Sequence, residues 1–207
     1  MSPHCGIHSE EDVRALVSAV VSAVAPEGPA EQPVGFPAEA VRSDQAPGVR
    51  GDVAVGADHG GFRLKERIAE DLREHGFTVH DVGTNSTEAV DYPDFAHAVA
   101  LLVAGGACRW GIVVDGAGIG SCMAANKVPG IRAATCWDVS SARNSREHNH
   151  ANVLALGAGL LGEALAQQIV QAWLSTGWGE GRHARRVEKI TDIERRYAGA
   201  ARVEMSA

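Results

Sequence analysis

Hydrophobic and polar positions fall into two kinds of block along this chain. Short, unbroken apolar runs at 53–55, 112–114 and 153–156 are bounded by glycine or polar residues. That is the pattern of parallel strands buried on both faces. Segments 78–82 and 132–136 complete a set of five. Between them lie longer stretches suited to helices, over 62–75, 93–104, 140–147, 162–174 and 188–197. Pro93 opens the second of these, where its missing N–H costs nothing. Strands that alternate with helices imply parallel pairing and right-handed crossovers. The expectation is a three-layer α/β sandwich around a five-stranded parallel sheet.

The pattern changes before residue 51. Residues 9–25 predict a separate amphipathic helix. Ser9 suits its N-cap, and Glu10, Glu11 and Asp12 suit the positive end of the helix dipole. Val13, Leu16, Val17, Val20, Val21 and Val24 make one apolar stripe. Residues 26–50 are rich in Pro, Gly and Ala, as in a linker. The chain divides into a helix within 1–25, a linker over 26–50 and a domain over 51–207. The stripe either docks on its own domain or enters a groove on another protein.

Composition narrows the function. A net charge of −7 argues against nucleic acid as a partner, because phosphate backbones need a basic face. No apolar run approaches membrane-spanning length, and the acids at 10–12 stand where a secretory signal would carry bases. None of the four cysteines forms a C-x-x-C pair, so neither zinc nor a disulfide framework is expected. His4, Cys5 and His8 are read as part of a terminus rather than as a metal site. A cytoplasmic protein without metal or cofactor fits.

Candidate chemistry centres on 110–127, WGIVVDGAGIGSCMAANK. Asp115 ends an apolar strand. Gly116, Gly118 and Gly120 alternate with small residues, and Ser121 is placed to open a helix. A strand, a glycine turn and a helix start leave backbone N–H groups aimed at one spot, which favours an anion. The alternative is a tight turn with Asp115 as an ordinary cap. A dinucleotide fingerprint fails where Ser121 replaces the last glycine, although Asp138 follows the next strand as a ribose-binding acid would. Asp58 and His59 follow the first strand, and His148 and Asn149 precede the fifth. Arg182 and Arg186 are four apart, share a face if helical, and would grip a phosphate. Asp115 as base and His148 as acid suit proton transfer beside the carbonyl of a phosphorylated substrate.

GADHGGFRLKERI, DYPDFA, GAGIGSCMAANKVPGIRAA, SREHNHANVLALG and GRHARRVEKI, in that order, resemble the ribose-5-phosphate isomerase B family, which includes galactose-6-phosphate isomerase subunits. The resemblance implies a Rossmann-like fold and aldose–ketose interconversion through an enediolate, without metal. It also implies a homodimer or tetramer whose subunits share active sites. By that resemblance His148 helps to open the furanose ring, and Asn149 binds the sugar or enediolate. Asp58, His59 and Ser121 bind substrate, and Arg182 and Arg186 hold its phosphate. The amides of Gly116, Gly118 and Gly120 serve as an oxyanion hole. Ribose 5-phosphate is the expected substrate. A tetrose or hexose phosphate, or a non-catalytic sugar-phosphate-binding or scaffold protein, are the rivals.

Three departures bear on this. Many members carry a catalytic Cys where this chain has Asp115, and others a Glu at Ser121. A hydroxyl residue common at Ala117 is absent. A phosphate-contacting arginine aligns with Gly159. The helix over 9–25 resembles the encapsulation peptides that carry enzymes into bacterial microcompartments, which implies a shell-protein partner.

Overall fold

The computed structural model describes residues 51–204, with side chains through Tyr197, and of the first fifty residues only Ala15, which is helical and exposed. The expected linker and, Ala15 apart, the expected N-terminal helix lie outside the described residues.

Five parallel strands form one sheet in the order β2-β1-β3-β5-β4. They are β1 (Asp52–Ala57), β2 (Thr78–Asp81), β3 (Trp110–Asp115), β4 (Ala133–Thr135) and β5 (Val153–Gly157). Six helices accompany them: α1 (Phe62–Glu74), α2 (Tyr92–Ala104), α3 (Ile119–Ala125), α4 (Val139–Asn149), α5 (Glu163–Ser175) and α6 (Arg182–Glu204). This is the expected Rossmann-like sandwich.

The period-two alternation of strand side chains splits the core in two. Val53, Val55, Ile112, Val114, Leu154 and Leu156 face the layer of α1, α4 and α5. Ala54, Val113, Val153 and Ala155 face α2 and α3. Both faces of the central strands are therefore dry, which is why these runs are apolar throughout.

Several element boundaries differ from the sequence expectation. The helix α4 runs Val139–Asn149, not 140–147, so His148 and Asn149 lie on its last turn. The helix α6 starts at Arg182, not at 188, and extends past Tyr197 to Glu204. Gly181, with φ at +61°, ends the preceding loop, and no glycine or proline follows until Gly199. Ser121 does not open α3. Gly118, with φ at +76°, is the boundary residue, and Ser121 lies inside the first turn. Asp138 is a helix cap: its Oδ1 accepts the Ser141 amide at 2.6 Å at the start of α4.

Candidate active site

The end of β3 sets the first part of the site. Asp115 is buried, and its carboxylate points back into the glycine loop. Oδ1 accepts the amides of Ala117, at 2.8 Å, and of Gly118. Oδ2 accepts the amide of Ser121 at 2.9 Å. The amides of Gly116, Ile119 and Gly120 are not among those it takes. Burial alone would raise the Asp115 pKa. The Ser121 side chain and the amides of Ser121, Gly118 and Ala117 outweigh it and hold the group below the ordinary carboxylate value. Asp115 thus fills its own anion nest and caps α3 from outside the helix. Gly118 is required there twice over, by its positive φ and because a Cβ would lie 2.8 Å from the Leu156 carbonyl carbon.

Neighbouring loops close around this turn. Asp58, also buried, accepts the Gly61 amide at 2.9 Å. A Cβ on Gly60 would lie 3.6 Å from the Gly116 amide nitrogen, so the two loops are in contact. His59 is exposed, and its Nδ1 accepts the Val90 amide at 3.2 Å. After β5, the amides of Ala158 and Gly159 donate to the carbonyls of Asp115 and Gly116 at 2.8 and 2.9 Å. A Cβ on Gly159 would meet that Gly116 carbonyl oxygen at 2.9 Å. Two residues to which sequence reasoning gave no role complete the rim. The Tyr92 ring covers Gly120, where a Cβ would fall 2.5 Å from its Cζ. Thr135 donates its hydroxyl to the Gly118 carbonyl at 2.9 Å. The only signal for Tyr92 was an aromatic before a helix-opening proline; Thr135 gave none.

The remaining predicted residues gather elsewhere, where α4 packs on α6. The His148 ring stacks on His183 with centroids 4.1 Å apart and planes 5° from parallel. Nδ1 of His148 lies 2.8 Å from the Asn144 side-chain nitrogen. Arg182 and Arg186 stand exposed on the first turns of α6. Partial burial, then the positive neighbours His148, Arg182 and Arg186, hold the His183 pKa below its ordinary value.

A staple fixes this arrangement. Arg146 is fully buried, its guanidinium 3.9 Å from the Trp110 ring centroid and 4.9 Å from that of Trp173. It donates to the carbonyls of Ala151 and Thr176. Trp178 stacks on His150, and the Gly179 amide donates to the Glu147 carbonyl at 2.8 Å. The segment leading into Arg182 is thereby tied to the end of α4 that carries His148 and Asn149.

Asp115, Asp58 and His59 therefore form one cluster, and His148, Arg182 and Arg186 another. Among the described residues no hydrogen bond, ion pair or ring contact joins the two. Asn149 lines a cleft of about 400 Å³ with Thr135, which reaches the glycine loop. No group of three or more His, Cys, Asp or Glu among the described residues is placed to hold a metal. No described helix is long and apolar enough to cross a membrane.

Residues 53–190 match the family model described as Ribose/Galactose Isomerase. The chain belongs to that family. Membership makes it an aldose–ketose isomerase. It is 51% identical over 144 residues to ribose-5-phosphate isomerase B of Escherichia coli (strain K12), covering 70% of this chain and 97% of that protein. It is 44% identical over 139 residues to D-erythrulose-4-phosphate isomerase of Pectobacterium atrosepticum, covering 67% of this chain and 91% of the relative. Among solved structures, Clostridium thermocellum ribose-5-phosphate isomerase B superposes with a TM-score of 0.70 at 52% identity, over 70% of this chain and 99% of that one. The family segment lies within the described residues 51–204 and leaves residues 1–52 and 191–207 outside the match.

Proposed function

We propose that this isomerase interconverts ribose 5-phosphate and ribulose 5-phosphate in a site assembled from two subunits. One observation carries the shared site. Among the described residues no hydrogen bond, ion pair or ring contact links the carboxylate and glycine loop to the histidine and arginines, yet the chemistry needs both around one small sugar. A second copy would bring the α4–α6 cluster to the loop. An apolar groove of about 680 Å³ beside edge strand β4, with exposed Ile190, Ile193 and Tyr197 on its rim, offers a surface for that copy.

In the proposed reaction, Arg182 and Arg186 bind the phosphate, and Asp58, His59, Ser121 and Asn149 hold the sugar. His148 hydrogen-bonds the ring oxygen as the C1–O bond breaks, and the C1 hydroxyl proton passes through solvent to that oxygen, which becomes a hydroxyl as C1 becomes the aldehyde. Asp115 then removes the proton from C2. The C–H electron pair becomes the C1–C2 double bond and the carbonyl pair moves onto O1. Return of the proton to C1, with transfer of the O2 proton to O1, gives the ketose.

At rest Asp115 holds the amides of Ala117, Gly118 and Ser121, of which that of Gly118 is one of the three expected in the oxyanion hole. A substrate oxygen entering the loop competes for the same N–H groups. Each amide that moves to the developing enediolate removes a hydrogen bond from Asp115 and raises its basicity. Base and oxyanion hole would thus be released together.

A tetrose phosphate is the second reading. The 44% identity to an erythrulose-4-phosphate isomerase favours it, as does Gly159 where the family resemblance puts a phosphate-binding arginine. Comparison of kcat/KM on four-, five- and six-carbon sugar phosphates decides. Highest kcat/KM on the pentose supports the first reading, and highest on the tetrose replaces it. No turnover on any of them would favour a binding or scaffold role.

Residues 1–50 are proposed as a targeting module for a bacterial microcompartment shell, on the strength of the apolar stripe and its linker. Deleting them should leave kcat/KM unchanged. Fused to a fluorescent protein, they should direct it into shells in a host that makes them, and aspartate at Leu16 and Val20 should abolish this. An inactive truncation with a diffuse fusion would refute the module.

A further inference from the structure

Asn144 lies four residues before His148 on α4, so the two share a helix face. Its side-chain nitrogen is 2.8 Å from Nδ1 of His148. Its side-chain oxygen faces the other way, 3.4 Å from Nδ2 of Asn149, which also lies 3.4 Å from the Asn144 carbonyl oxygen. One amide therefore bridges both residues to which the proposed function gives sugar chemistry at the end of α4.

The bridge has a direction. An amide NH2 group only donates, so Nδ1 of His148 must accept. A neutral imidazole that accepts at one nitrogen carries its hydrogen on the other. His183 then blocks one ring face by stacking at 4.1 Å, which limits rotation about the side-chain bonds. Arg182 Nε donates to Nε2 of His183 at 3.3 Å, and Nδ1 of His183 is buried without a partner. The charged and titratable groups around the His148 ring are Glu147 on its own helix, 3.8 Å from Nε2, with His183, Arg182 and Arg186 from α6. Within α4, Asn144 supplies the neutral contact to Nδ1.

We propose that Asn144 is a positioning residue that holds neutral His148 as the Nε2–H tautomer, so that the nitrogen not tied to α4 presents an N–H hydrogen bond to the sugar ring oxygen. The tautomer stands on the hydrogen-bond geometry alone. Its catalytic consequence rests on the proposed part of His148 in ring opening.

The test is a two-bond ¹⁵N–¹H correlation spectrum of the full-length protein at a pH where histidines are neutral, with His148 assigned by its loss in His148→Gln. Wild type should show the Nε2–H pattern. Asn144→Asp presents only acceptors to Nδ1, so the pattern should move to Nδ1–H. Asn144→Leu should give a mixture of the two. Turnover of cyclic ribose 5-phosphate should fall roughly tenfold in both variants with little change in KM, as expected when a hydrogen-bond donor to the opening ring is misdirected rather than a binding group lost. An Nδ1–H pattern in wild type, or a pattern unmoved in Asn144→Leu, would overturn the proposal. A pattern that moves while turnover does not would leave the tautomer standing and overturn the ring-opening role instead.

Discussion

Asp115 shows what a single side chain can conceal. Its place at a strand end was legible, as were the glycines after it. The direction of its carboxylate was not, because that depends on the left-handed turn at Gly118, which aims three amides backwards. Asp115→Asn should lower kcat by roughly 10²-fold or more with a smaller change in KM, measured in a coupled assay. Turnover near wild type would move the role to half-buried Cys122 or to a water. Stability gives an independent reading. The folded-state pKa lies below the ordinary 3.8, so the stabilising effect of the ionised group is present at neutral pH and is lost as pH falls through and below that value. The Tm gap between wild type and Asp115→Asn should therefore narrow between pH 7 and pH 3 in calorimetry. A gap that widens at low pH would contradict the hydrogen-bonded carboxylate.

Strands were easier to read than helix starts. Dry strands need apolar side chains on both faces, so β1, β3 and β5 announced themselves. The start of α6 did not, because the glycines and Trp178 before it mark a turn without showing where the turn ends. That error touched the candidate site directly, since it left Arg182 and Arg186 ahead of the expected helix. The structure puts them on its first turns, four residues apart. Arg182→Ala and Arg186→Ala should each raise KM by about tenfold, the loss expected for one charge-assisted phosphate contact, and should weaken inhibition by inorganic phosphate. Unchanged KM in both would place the phosphate elsewhere. The turn before α3 makes a second prediction. Gly118→Ala must bear a positive φ and a Cβ against the Leu156 carbonyl, and should lose at least about 1–2 kcal/mol in urea unfolding. A variant as stable as wild type would mean that the turn has another conformation.

At the scale of the whole molecule, chain order alone does not show which candidate residues one copy of the chain gathers. Only the family resemblance, with its implied sharing of active sites between subunits, pointed beyond a single copy. If two subunits share each site, inactive variants with lesions in opposite clusters should rescue one another. Asp115→Asn mixed with the double variant Arg182→Ala/Arg186→Ala, unfolded and refolded together and assayed at low substrate, where the double variant is nearly inactive, should recover up to about one quarter of wild-type activity. Half of randomly paired dimers would be mixed, and each would own one intact site of two. No recovery, with mixed dimers shown to form, would place the whole site within one chain.

The contact between Gly159 and Gly116 limits what a substitution at 159 can achieve. The loop after β5 has settled onto the glycine turn so closely that any side chain at 159 would displace a carbonyl oxygen on which both loops depend. Restoring an arginine there by one substitution, Gly159→Arg, would cost stability before it could return any phosphate affinity. In this backbone a side chain at 159 and the present contact between the two loops exclude each other, so tighter phosphate binding would be reached more readily from another position than from 159.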